Sequence, residues 1–121
     1  MITVLVVVEH DGIRGGLRAL LEDEGFVVLD AADAVAASGT IVGFRVDLVI
    51  VDLALPADGA AQLVADATAQ DPEMAIVYLM DGLHRDDSRL PRATQRPRTG
   101  IVTFPLQSDD VLACARKVLS G

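Results

Sequence analysis

The chain has 121 residues, 51% of them hydrophobic and 3% aromatic, and a formal net charge of −8. That length and apolar content build one domain, residues 1–121, whose core needs no staple. The aliphatic bias argues against a base-stacking nucleic-acid surface, the acidity argues against non-specific attraction to nucleic acid or anionic lipid, and the single cysteine, Cys114, excludes a disulfide framework within one chain.

Residues 1–8 are apolar but lack a basic start and run directly into acids and glycines, so they read as a first strand and not as a signal core. No membrane segment is implied, and a cytoplasmic protein is the simple reading. Asp11 is placed to cap a helix opening at Gly12, with Ile13, Leu17, Leu20 and Leu21 on one face. A second strand over residues 26–29 leads into Asp30 and Asp33, a capping-box-like pair ahead of an alanine-rich helix from about Ala32. The third strand, residues 46–51, runs into Asp52, with Pro56 four residues on. Asp58 stands at the start of a helix carrying Leu63, Val64 and Ala67. A fourth strand is expected over residues 75–79.

Residues 84–98 hold five of the ten cations, Arg85, Arg89, Arg92, Arg96 and Arg98, against Asp86 and Asp87. Pro91 and Pro97 allow at most a short helix there, so the stretch reads as a connector in place of a regular fourth helix. A fifth strand over residues 101–103 follows. Ser108 then precedes two acids that suit a helix N-terminus, and Val111, Leu112, Ala115, Val118 and Leu119 form the last apolar face. Cys114 falls on this helix, where a half-buried thiol is ordinary.

Aliphatic runs without alternation are strands buried on both faces, and strands alternating with helices imply right-handed crossovers. The expected fold is α/β and flavodoxin-like: a (βα)5 doubly wound parallel sheet of five strands in the order 2-1-3-4-5, with an irregular or short fourth helix. Ligands of such sheets sit at the carboxyl ends of strands one and three, which collects Val8, Glu9, His10 and Asp52. Two acids from different strands suit a hard cation such as Mg²⁺. A carboxylate at a half-buried strand end costs free energy unless something compensates it.

The stretches VLVVVEHDGIRGGL and VDLVIVDLALPADG, with GIVTFPLQSDDVLACARKVL at the end, resemble the receiver domain of bacterial two-component response regulators across essentially the whole chain. The resemblance implies that Asp52 is the position that accepts a phosphoryl group from a histidine kinase. It implies an Mg²⁺ site of an acidic pair, the phosphoacceptor and a backbone carbonyl, here that of Ala54. Val8 and Glu9 occupy the acidic pair, so one acid survives. Met80 stands where the family has Thr or Ser, and Phe104 where it has a lysine before a proline. The only lysine, Lys117, lies on the last helix, so none is available at a strand end. Ile101 occupies the aromatic switch position and has neither the size nor the hydroxyl to swing. His10 follows the pair, as in many DNA-binding members.

Exchanging a carboxylate, a hydroxyl and an ammonium for Val8, Met80 and Phe104 dries the surroundings of Asp52, which should raise its pKa. It also removes most of the charge neutralisation on which phosphoryl transfer depends. The resemblance therefore points to an atypical receiver, not an enzyme, that binds Mg²⁺ weakly if at all. It would act mainly as a phosphorylation-independent interaction module; the alternative is a working phosphoacceptor at Asp52 with Mg²⁺. Its implied partners are a histidine kinase or another signalling protein, and a second copy met through the face around strand five and the last helix. Nucleic acid would be bound only through an attached effector domain.

A small cofactor-binding flavodoxin-like protein is a further alternative, but EHDGIRGG lacks the hydroxyls of a flavin phosphate loop, and Val8 and Ile13 depart from the cobalamin pattern D-x-H-x-x-G. The arginine segment could contact nucleic-acid phosphates, although on an acidic chain such a loop is more often solvated or paired with its own acids. His10 and His84 lack a third metal ligand, and no serine has a base at a recognisable spacing.

Overall fold

The computed structural model describes residues 1–81 and 96–121. Strands β1 (Thr3–Val7), β2 (Val27–Ala31), β3 (Leu48–Asp52), β4 (Ala75–Asp81) and β5 (Thr99–Phe104) form one parallel sheet in the order β2-β1-β3-β4-β5. Helices α1 (Asp11–Asp23), α2 (Ala34–Gly43), α3 (Gly59–Gln70) and α4 (Ser108–Ser120) cover it. The expected topology and strand order are those observed. The short-helix expectation for residues 84–95, together with His84, Arg85, Arg89 and Arg92, lies outside the described residues.

Alternation along each central strand builds two cores. On one face Val4, Val6, Ile50 and Leu79 pack against Leu17 and Leu21 of α1 and Val111 and Ala115 of α4. On the other, Leu5, Val49, Val51 and Tyr78 meet Ala37 and Ile41 of α2 and Leu63 and Ala67 of α3. Leu17 and Leu21 are four residues apart, the spacing that puts two side chains on one helical face.

The helix starts differ from expectation in their details. His10, not Asp11, caps α1: its Nδ1 accepts the Ile13 amide at 3.1 Å. Asp11 is already helical, and its carboxylate is taken by Arg14. Asp33 caps α2 alone, accepting the Ala36 amide at 2.8 Å. Asp30 faces away from that role because it lies in β2, where Arg18 reaches it at 2.9 Å. Asp58 stands at the N-cap of α3 without a side-chain capping bond, and Gln107 holds that position for α4, so Ser108 is the first helical residue.

Arg96 and Arg98, the described members of the arginine segment, bond to carbonyl groups. Arg96 donates to Pro72 O at 2.9 Å. Arg98 donates to Glu73 O at 3.1 Å, Val118 O at 3.0 Å and Leu119 O at 2.9 Å. It thereby satisfies the last carbonyls of α4, which have no intrahelical partner, and ties that helix end to the loop before β4.

Candidate functional site at the carboxyl ends of the strands

The registers place the sequence-predicted residues in tiers. Val7 pairs with Val51, so Val8, one residue further, comes level with Asp52. Asp52 pairs with Leu79, Met80 with Thr103, and Asp81 with Phe104. Val8 therefore flanks Asp52 on one side, and Met80 and Phe104 stand one and two steps beyond its partner on the other.

Their side chains do not form one ring. Val8 is 1% exposed and belongs to the α1/α4 core, against which Phe104 also packs. Met80, 4% exposed, belongs to the α2/α3 core, and half-buried Ile101 leans on the same cluster. By alternation Asp52 shares the face of Leu48 and Ile50, the face of Val8. The drying of the site thus comes from the α1 side, while Met80 seals the opposite core.

Asp52 is half-buried, and its Oδ1 accepts the Ala54 amide at 2.8 Å. Burial pushes its carboxyl above the ordinary value, the Ala54 N–H pulls it back in part, and the negative charge of Glu9 adds to the rise. A native state that holds this proton more tightly than the unfolded chain loses stability as pH rises from the ordinary carboxylate value through the raised one. Asp52→Asn removes that loss. The variant is expected to melt above the parent at neutral pH, with the gap closing as pH falls below the ordinary carboxylate range; a gap independent of pH in thermal melts would refute the assignment.

The donor set does not make a complete metal site. Glu9 is exposed and Asp52 has one oxygen engaged, while the buried Val8 supplies no ligand. Among the described residues no group of three or more His, Cys, Asp or Glu could hold a metal ion. Ala54 meets Asp52 through its amide, and no described contact engages its carbonyl as a ligand.

Three further features of this edge have little or no signature in the sequence. Arg14 Nη1 donates to the carbonyls of Val8 at 2.8 Å and Glu9 at 3.1 Å, and Nη2 holds Asp11, so one guanidinium fixes the whole turn after β1. Its three-residue spacing from Asp11 was the available signal. Asp81 is an acid at the same edge because β4 runs beyond Leu79. The turn after Asp52 carries Ala57 and Asp58 at φ 55°, two successive non-glycine residues in the left-handed region, a costly conformation that nothing in ALPADG announces.

The model of the response regulator receiver domain matches residues 4–116 of this chain. The chain belongs to that family. The receiver is 28% identical over 126 residues to the response regulator UvrY of Escherichia coli (strain K12), covering 100% of this chain and 56% of UvrY. It thus spans about half the length of the curated relatives it matches. Among solved structures it resembles NtrX from Brucella abortus in complex with ADP, with a TM-score of 0.85 and 27% identity over 99% of this chain and 27% of that one. It also resembles a CheY-like receiver domain protein from Methanospirillum hungatei JF-1, with a TM-score of 0.87 over 99% and 94% of the two chains; at 21% identity this speaks for the fold alone. Receiver domains are in general signalling modules that use Mg²⁺ for phosphorylation and interact with histidine kinases and effector domains. No helix among the described residues is long and apolar enough to cross a membrane.

Proposed function

We propose that this receiver works mainly as a protein interaction module whose output does not depend on phosphorylation of Asp52. The observation that carries the reading is Val8, sealed in the α1/α4 core at the level of Asp52, where the family's first acid would stand. Without that acid, and without a lysine at any strand end, the negative charge of an arriving phosphoryl group would meet Glu9 and a dried pocket. Phosphoryl transfer relies on neutralising that charge, so it should be slow here.

Incubation with acetyl phosphate and Mg²⁺ tests this by intact mass. The expected result is no stable gain of one phosphoryl group; a gain that disappears in Asp52→Asn would overturn the proposal. That outcome would favour the second reading, a working phosphoacceptor with Mg²⁺ held weakly by Glu9, Asp52 and the Ala54 carbonyl. What supports the second reading is Asp52 itself, kept at the end of β3 and oriented by the Ala54 amide.

In either case residues 1–121 act as one non-enzymatic receiver domain in the cytoplasm, with a histidine kinase or another signalling protein as partner. The docking face proposed for that partner lies around β5 and α4, where Arg98, Gly100, Cys114 and Lys117 line an open groove of about 630 Å³; a homodimer through this face is the other use the family resemblance suggests. Contact with nucleic acid is assigned only to an attached effector domain.

A further inference from the structure

Helix α2 carries no charged residue from Ala34 to Gly43. The solvent side of a helix ordinarily carries charged or polar groups, yet the uncovered side of α2 carries no charge. Ala37 and Ile41 enter the core, whereas Val35 and Val42 stay 85% and 73% exposed, and Phe44 at the helix end 60%. Gly39 is exposed between the valines, with nothing within 4 Å of where its Cβ would stand. Glycine in a helix interior is destabilising, and no contact among the described residues accounts for this one.

The charges at the two ends of the face indicate what covers it. Asp33 and Arg45 each lie six residues from Gly39, on opposite sides. Arg45 is exposed and makes no hydrogen bond or ion pair among the described residues. A face with an acid at one end, a base at the other and only apolar groups between matches neither a uniformly basic nor a uniformly acidic partner. It does match itself turned end for end.

We propose that two copies of this chain associate through antiparallel α2 helices about a two-fold axis at Gly39. The Asp33 end of each copy then lies beside the Arg45 end of the other, twice by symmetry. Val35 and Val42, four and three residues from the axis, meet across it within one residue's rise of about 1.5 Å. Val35 comes level with Gly43 and Val42 with Ala36, small residues that let the backbones approach. Each helix N-terminus, with its partial positive charge, faces the partner's C-terminus. On a chain of net charge −8, this uncharged stripe is also where a second copy meets little repulsion. The contact does not rest on the state of Asp52, and α2 packs against β1, β2 and α3, apart from the β5/α4 face proposed for the signalling partner. One short helix and its flanks bury well under the roughly 800 Å² per partner of a standard interface, so the association is weak.

Sedimentation equilibrium of the 121-residue chain, from micromolar to near-millimolar concentration, tests the contact. The apparent mass should climb from 12.7 kDa toward twice that value. Val42→Glu, which sets two like charges into the apolar stripe, should weaken association at least about tenfold, and Arg45→Glu severalfold. Both positions are exposed, so circular dichroism should show unchanged folds. Ala113→Arg, on the exposed side of α4, should leave the dimer intact, and Asp52→Asn should leave it unchanged. A chain that stays monomeric throughout, or a dimer that survives Val42→Glu, would overturn the proposal.

Discussion

Val8→Asp is expected to lower the stability of the domain by about 3 kcal/mol without divalent cation, and to regain part of that when Mg²⁺ is added. Val8 is 1% exposed, so the exchange forfeits the burial of a valine, worth about 2 kcal/mol. It also brings a carboxylate to the level of Asp52, beside Glu9. With Asp52 already raised by desolvation and by Glu9, a third acid cannot ionise cheaply unless a cation joins it. Mg²⁺ is the hard, oxygen-seeking ion that three carboxylates suit, and a ligand that binds only the folded state stabilises it by mass action. Urea unfolding with and without Mg²⁺ measures both effects. The parent should not respond to the ion and the variant should. A parent that Mg²⁺ stabilises as strongly as the variant would show that Glu9 and Asp52 suffice. A variant within about 0.5 kcal/mol of the parent, the range of ordinary surface changes, would show that Val8 is not the seal.

The same site shows what a sequence can and cannot disclose. Asp52 was legible because an acid after four aliphatic residues, with a proline four positions on, has few explanations in a doubly wound sheet. The strand order was legible for the same reason, since unbroken aliphatic runs and four-residue helical spacing are long-range signals. Local competition was not. His10 and Asp11 are both capable caps, and the choice falls to His10 because Arg14 draws Asp11 away. The face of Met80 was hidden because composition near a site does not reveal which side of the sheet a residue points to. That depends on the phase of β4, in which Met80 alternates with Leu79 and follows Tyr78 onto the α2/α3 core. The length of β4 and β5 escaped because pairing with a neighbour carries a strand through Asp81, Thr99 and Gly100, residues with little β propensity or none of the aliphatic signal. The left-handed Ala57 and Asp58 were invisible because that conformation is usually announced by glycine.

Gly100→Ala is expected to cost about 1–3 kcal/mol, the range of overpacking in a tight interior, although alanine favours a strand at least as well as glycine does. A Cβ on Gly100 would overlap Cys114 Sγ and come within 3.2 Å of Val118 Cγ1. Helix α4 cannot relieve this by backing away, because Arg98, two residues before Gly100, grips the carbonyls of Val118 and Leu119. The strain must then go into the Cys114 rotamer or the spacing between β5 and α4, which is the face proposed for the signalling partner. Cys114→Ala in the same background removes the overlapping sulfur and should restore most of the loss. Urea unfolding of both single variants and the double variant isolates that coupling as a cycle. If the cost of Gly100→Ala is unchanged in the Cys114→Ala background, the two residues do not set the approach of α4 to β5. If it largely vanishes, the spacing of that face is fixed by one glycine and one thiol, and a partner reading the face should bind Gly100→Ala less well than the double variant.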